Sequence, residues 1–214
     1  IPECNMIGIA AGLSTCGKIP FAASFAMFSA GRAFEQVRNS VGYPHLNVKI
    51  VGSHAGISVG EDGATHQCCE DIALMRTIPG MVVLNPADHY EMQAAVKAAA
   101  EYYGPVYIRL GRLAVESCNN NDDYKFEIGK GITLRDGKDI TVIASGLMVG
   151  EAVKAVKALE ADGIDVRLID MHTIKPLDRE LVLKAAQETG RIVTVEEHNV
   201  IGGLGEAVAS YLSE

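Results

Sequence analysis

The sequence predicts an α/β fold made of two domains, each a mainly parallel sheet flanked by helices. Short runs rich in β-branched residues recur along the chain and are apolar on both faces, as strands buried inside a parallel sheet are. Amphipathic helical patterns separate them, so the order is β-α-β-α and the strands must be joined by crossovers. One polar stretch without periodicity, SCNNNDDYK at 117–125, interrupts the pattern and reads as an exposed linker. The domains expected on either side are residues 1–116 and 126–214.

Taken in order, a small-residue helix runs from Asn5 to about Thr15 directly after Glu3, so the first sheet is expected to lack its first strand. Within IPFAASFAMFSAGRAFEQVRNS a short strand leads to Phe25 and Phe28 and then to a helix. NVKIVGS (47–53), MVVLNP (81–86) and PVYIRL (105–110) are the next strands. Between the last two lies a helix from Asp88 to Tyr103, with Asp88 as its cap and Glu91 placed to reach back in a capping box. The second domain opens with FEIGKGITLRDGKDITVIAS, whose RDGK carries the Asp-Gly signal of a β-hairpin. A helix from Val149 to Ala161, a strand IDVRLID (164–170), a helix after Pro176 capped by Asp178 and ended by Gly190, and a strand RIVTVEE (191–197) follow.

Of 214 residues, 48% are hydrophobic, which is enough for two cores. With 27 acidic against 19 basic residues the net charge is −8, and no run of Lys or Arg stands out, which argues against nucleic acid or an anionic membrane as partner. The apolar runs fall short of the roughly 18 to 20 residues of a membrane span, and no leader pattern opens the chain, so a cytoplasmic location is expected. Five cysteines without framework spacing fit a reducing compartment. The start on Ile1 suggests a piece of a longer protein.

The densest chemistry lies in GSHAGISVGEDGATHQ, Gly52 to Gln67, where two histidines and two adjacent carboxylates share sixteen residues with four glycines. Such a loop is held on a scaffold because it touches something. His54 at a strand end, Asp62 and His66 can face a polar substrate at the carboxyl edge of the sheet, and Arg112 in YIRLGR arrives at the same edge. The alternatives are solvated loop histidines and an arginine in an ordinary ion pair. Cys68 and Cys69 do not make a zinc site, because adjacent cysteines rarely ligate one metal and no second pair completes a tetrahedral set.

Glu3, in PECNMIGIAAGL, stands at a helix mouth, where a carboxylate complements the helix dipole. Phe25 and Phe28 read as core residues or, with Glu3, as the stacking faces and acid that a flat aminated heteroaromatic ring wants. Glu196, Glu197 and His198 read as a strand end leading into a glycine loop and helix, and stay outside the site.

Together PECNMIGIAAGL, FAMFSAGRAFEQVR, GSHAGISVGEDGATHQ, DIALMRTIPGMVVLNPAD, IRLGR and TIKPLDRELVLKAA…GRIVTVEEHNVIGGLGEAV resemble the pyrimidine-binding and carboxy-terminal domains of transketolase, in order from Glu3 to the end. The resemblance implies an enzyme of the pentose phosphate pathway that uses thiamine diphosphate and Mg2+ to move a two-carbon ketol unit from a ketose phosphate to an aldose phosphate. By position it implies that Glu3 bonds the aminopyrimidine of the cofactor, with Phe25 and Phe28 packed around that ring. It further implies that His54 and Arg112 grip the sugar phosphate, that Asp62 bonds a substrate hydroxyl, and that His66 lies near the attacked carbonyl.

The sequence departs from the family at Cys4 and Gly31, and no GDG with a downstream Asn is present to hold metal and diphosphate. The resemblance therefore implies the C-terminal half of a split or truncated transketolase, with the metal held by an N-terminal diphosphate-binding half, in a dimer or an α2β2 assembly. The nearest rival, deoxyxylulose-phosphate synthase, tends to carry an arginine in place of His54 and a shortened GED. The β subunit of 2-oxo-acid dehydrogenases lacks this histidine–aspartate arrangement. A non-catalytic assembly subunit is a third alternative, against which the intact Glu3, His54, Asp62, His66 and Arg112 speak.

Overall fold

The computed structural model describes residues 2–119 and 124–214. The first sheet has five strands in the order β1 (Phe21–Phe25), β2 (Lys49–Ser53), β4 (Val106–Arg109), β3 (Val82–Leu84) and β8 (Thr173–Lys175). Its first four strands are parallel, and β8 closes the edge antiparallel to β3. Sequence after the linker thus completes the first sheet. Three residues are too few to show a period, so β8 left no mark in the hydrophobic pattern.

The second sheet runs β5 (Ile132–Arg135), β7 (Val166–Asp170), β6 (Ile140–Ala144), β9 (Ile192–Val195). β6 is parallel to β7 and β9, and β5 is antiparallel to β7. The expected hairpin across RDGK does not form, because β7 lies between the two strands it would have joined. The turn itself is there, with Asp136 Oδ1 accepting from the Gly137 N–H at 3.0 Å. Its next two N–H groups, of Lys138 and Asp139, donate to the Asp165 carbonyl at 3.2 and 2.9 Å, and Arg167 binds Asp136 at 2.7 Å. A β-carbon on Gly137 would overlap the Val166 backbone. The turn is wrapped around the start of β7, and its donors are used there.

Among the described residues no strand precedes α1 (Glu3–Thr15). After β1 the chain winds through Met27–Arg32, α2 (Phe34–Gln36) and Val37–Gly42, the outer two in the wider π form, with bonds such as Ala33 N–H to the Phe28 carbonyl at 3.1 Å. The remaining helices are α3 (Asp71–Thr77), α4 (His89–Glu101), α5 (Met148–Ala161), α6 (Arg179–Thr189) and α7 (Leu204–Leu212). α4 and α6 have the expected caps, Asp88 accepting from the Glu91 N–H at 3.0 Å and Asp178 from the Leu181 N–H at 3.1 Å. The Glu91 carboxylate reaches the N–H of Ala87, one residue beyond its expected target. No helix is long and apolar enough to cross a membrane, among the described residues.

The linker reading needs correction at its described ends; residues 120–123 lie outside the described part. Asn119 is buried, and the N–H groups of Cys118 and Asn119 donate to Asp88 Oδ2 at 2.7 and 2.8 Å. Asn119 Nδ2 donates to Asp170 at 3.2 Å, and the Tyr124 hydroxyl to Glu91 at 2.6 Å. A polar stretch reads as solvated in sequence, but here its polarity serves buried carboxylates. The seam between the sheets is apolar as well. One cluster joins Ile50, Ile72, Met75 and Tyr107 to Ile143, Ile169, Met171 and Ile174.

Burial pushes the Glu91 carboxyl up to about 7, with the charge of Asp88 adding to it and the bonds from Tyr124 and Ala87 opposing it. Burial, and then the charge of Glu91, hold Asp170 well above the carboxylate range. The native state therefore keeps a proton that the unfolded chain, with Glu91 near 4.5, releases. Stability from this group is full at acid pH and falls as pH rises from about 4.5 to about 7, where the folded chain also ionises. We expect Glu91→Gln to flatten this slope, which urea unfolding at pH 5 and pH 7.5 will measure.

Candidate functional site

The parallel register brings three strand ends to one edge, with Phe25 opposite Ser53 and Gly52 opposite Arg109. At that edge of an open α/β sheet ligands bind. Glu3, on the first turn of α1, is 1% exposed. Its two oxygens accept from Ser24 Oγ at 3.0 Å and from Arg32 Nη1 at 3.1 Å. Burial raises the Glu3 carboxyl, but the helix-end N–H, Ser24, the nearby chain terminus and Arg32 together bring it below its ordinary value. The Arg32 guanidinium lies 4.5 Å from the centre of the Phe28 ring, so acid, cation and aromatic face are contiguous.

His54 follows β2 with φ +56°, a left-handed conformation that a non-glycine residue adopts at a cost of about 1–3 kcal/mol. The turn lays its imidazole flat on Phe25, with centroids 3.9 Å apart and planes 13° apart. Ser53 Oγ is 3.1 Å from His54 Nδ1. His66 returns to the same place, edge-on to Phe28 at 5.1 Å and to Phe25 at 6.0 Å, with Thr65 Oγ1 2.9 Å from its Nδ1. Phe25 and Phe28 are themselves nearly parallel, 10° apart with centroids at 6.1 Å.

Five of the seven expected residues, Glu3, Phe25, Phe28, His54 and His66, are therefore linked through one aromatic patch. The other two have no contact with that patch among the described residues. Arg112 is exposed and passes beside Gly60, where a β-carbon would lie 3.6 Å from its Nη1. Asp62 is exposed on the outer turn of the loop, and its carboxylate makes no hydrogen bond among the described residues.

Sequence reasoning missed three groups. Arg32 was legible only as part of a helix, and nothing in its spacing pairs it with Glu3, twenty-nine positions away. Arg109 is 2% exposed beneath the loop, donating from Nε to Asp71 Oδ2 at 2.9 Å and from Nη2 to the Glu197 carbonyl at 2.7 Å. The Tyr107 hydroxyl adds a 2.8 Å bond to the same Asp71 oxygen, passing where a β-carbon on Gly52 would stand. Glu197 reaches back to the loop, accepting from the Ser58 N–H at 2.7 Å. Glu196, as expected, serves the start of α7, accepting from the N–H groups of Leu204 and Gly205 at 2.7 and 2.9 Å. No group of three or more His, Cys, Asp or Glu stands close enough to hold a metal ion, among the described residues.

A buried carboxylate, an aromatic patch and two imidazoles thus stand at the carboxyl edge of an open α/β sheet, the edge at which such folds place their ligand sites. Residues 1–117 match the model of the transketolase pyrimidine-binding domain, and residues 129–214 that of the transketolase C-terminal domain. The chain belongs to the transketolase family.

It is 53% identical over 214 residues to a protein of Methanocaldococcus jannaschii described as a transketolase C-terminal section, covering 100% of this chain and 67% of that one. It is 46% identical to one of the apulose-4-phosphate transketolase subunits of Phocaeicola vulgatus, covering 100% of this chain and 69% of that protein. A solved split-gene transketolase, an inactive beta4 tetramer, superposes with a TM-score of 0.93 at 56% identity over 100% of this chain and 69% of the other. The chain thus spans about two thirds of the relatives it resembles over its whole length.

Removing Asp71 would leave the buried Arg109 guanidinium and Tyr107 hydroxyl without their shared acceptor. We expect Asp71→Ala to cost about 3–5 kcal/mol, and Asp71→Asn, which keeps an acceptor oxygen, distinctly less. Midpoints of denaturant unfolding at unchanged slope will show it.

Proposed function

We propose that this chain is the C-terminal half of a thiamine-diphosphate-dependent transketolase, acting with an N-terminal half that holds diphosphate and magnesium. The observation that carries the reading is the buried Glu3 carboxylate, bonded to Ser24 and Arg32 and continuous with the Phe28 face. An aminopyrimidine needs this donor set: an acid at a ring nitrogen and an apolar face for the ring. Glu3, Phe25 and Phe28 would hold it. When bound, thiamine diphosphate supplies the acidic carbon that carries the two-carbon ketol unit. The bonds from its own backbone N–H, from Ser24 and from Arg32 favour the ionised form of Glu3, and an ionised Glu3 would favour a proton on a ring nitrogen bound there.

On the substrate side, His54 and Arg112 bind the phosphate of a ketose or aldose phosphate, Asp62 takes a hydroxyl, and His66 orients the carbonyl. The Phocaeicola relative, whose name includes a phosphorylated sugar, supports that substrate class. A dimer or α2β2 assembly belongs to the reading. α1 leaves Ile9 56% and Leu13 46% exposed, with Gly8 and Gly12 open beside them, an apolar face suited to close helix packing. The inactive beta4 state of the split-gene relative is what a half-site without its other half would give. The presence of His54 and Glu61 in the loop favours this reading over the deoxyxylulose-phosphate synthase one.

The deciding experiment combines the purified chain with a diphosphate-binding half. Ketol transfer and magnesium-dependent cofactor binding are expected from the pair and not from the chain alone. Tight binding by the chain alone, or an inactive pair that binds cofactor, would overturn the assignment, the second outcome in favour of an assembly subunit.

Within the active pair, Glu3→Gln should lower turnover by about 10²–10⁴-fold while cofactor affinity stays within about tenfold, because the amide still bonds the ring but cannot favour its protonated form. Steady-state kinetics at saturating cofactor test this. Arg112→Ala should raise KM for phosphorylated sugars by about 1–3 kcal/mol in apparent binding and leave an unphosphorylated donor nearly unchanged. Equal losses with both donors would remove Arg112 from the phosphate site.

A further inference from the structure

We propose that Glu197 is a positioning residue through which the C-terminal domain fixes the loop bearing Asp62 and His66; the catalytic part of this statement rests on the transketolase reading. Glu197 follows β9 and is 8% exposed. Its carboxylate crosses to the loop after β2, where Oε1 accepts from the Ser58 N–H at 2.7 Å. The carboxyl occupies space that only glycine at position 56 leaves open, since a β-carbon there would overlap it. Gly56 also has φ +89°, a conformation that side chains disfavour.

The grip is two-sided. Gly56 and Cys68 close the loop by exchanging backbone bonds, Gly56 N–H to the Cys68 carbonyl at 2.7 Å and Cys68 N–H to the Gly56 carbonyl at 3.2 Å. On the Cys68 side, Asn199 donates to the Cys69 carbonyl from its backbone N–H at 3.1 Å and from Nδ2 at 2.6 Å. Residues 197 and 199 therefore hold both stems of the loop. Glu197 itself is held from below, its carbonyl accepting from Arg109 at 2.7 Å. Between the stems, Gln67 Nε2 donates to the Ile57 carbonyl at 2.8 Å, and the His66 N–H to the Gly63 carbonyl at 3.0 Å. The loop keeps an internal shape, and the Glu197 bond sets that shape against the aromatic patch. Glu197 acts through backbone, so its effect belongs to geometry.

The test measures hydrogen exchange of residues 56–68 in the full chain, and kcat and KM in the chain assembled with its diphosphate-binding half, for wild type, Glu197→Ala and Glu197→Gln. Glu197→Ala should speed exchange in the loop by about tenfold while the amides of β2 and β4 keep their protection. It should also lower kcat by about tenfold or more, with a smaller change in KM, because misplaced groups cost most in the transition state. Glu197→Gln, whose amide oxygen still accepts from Ser58, should restore both. Unchanged loop exchange in Glu197→Ala, a loosened loop with unchanged kcat, or a general loss of protection that Gln does not rescue would each overturn the proposal. If the wild-type assembly transfers no ketol unit, the transketolase reading falls, and the loop exchange alone decides whether Glu197 positions the loop.

Discussion

Arg109 ends β4 beneath the loop and carries a charge that water does not reach, so each neighbour has to supply an acceptor. Asp71 does so from the head of α3, and the Glu197 carbonyl from the end of the second sheet. Burial alone would lower the guanidinium's hold on its proton, and Asp71, with Tyr107 and Glu197 beside it, more than offsets this. Such a pair is weak evidence of net stability, because well-packed apolar side chains often do as well. Its effect is on arrangement. Any placement of α3 or of residues 197–199 that left Arg109 short of a partner would strand a buried charge, so the loop between them is set from three directions.

The site that this scaffold presents is electrically unlike the rest of the chain. The net charge is −8, yet Arg32 binds the buried Glu3 carboxylate, and Arg112 stands by Gly60 in the loop that carries His54 and His66. Two local guanidinium groups on an acidic protein make a field that differs from that of the surrounding surface without attracting polyanions. The aromatic patch does a second job there. Phe25 and Phe28 shield one side of the histidines, so the imidazoles present their free edges in fixed directions, which solvated loop histidines would not do.

The sequence disclosed the parts of the fold that repeat a physical period or carry a local cap. Buried strands, the caps of α4 and α6, and the arrival of Glu3, His54 and Arg112 at one sheet edge were all legible from residues within a few positions of one another. What was hidden depends on partners far apart in sequence. β8 is too short for a pattern, and its pairing with β3 joins Thr173 to Leu84. The Asp-Gly turn is local, but which strand it wraps is settled by Arg167 and Asp165, about thirty positions later. Glu197 shows the limit most clearly. Beside Glu196, at a strand end, it has the composition of a helix start, and only the folded chain distinguishes the acid that caps α7 from the acid that crosses to Ser58, 139 positions away.

These long-range partners also bear on whether the two family domains are separable modules. A domain that folds alone must close its own sheet and cover its own apolar face. Here β8 closes the first sheet from the far side of the linker, and Lys175 donates to the carbonyls of Arg76 and Ile78 at 2.7 and 2.6 Å. Met171 and Ile174 sit in the same core cluster as Ile72 and Met75. Arg76 returns the connection, donating to the Gly202 and Gly203 carbonyls at 2.5 and 2.9 Å. The bonds run both ways across the seam and the core is continuous through it, so cutting within 117–125 would expose apolar surface and orphan buried polar groups on both pieces. The two sheets are joined through one continuous core, so freedom of the edge that bears Phe25, His54 and His66 is confined to the loop itself.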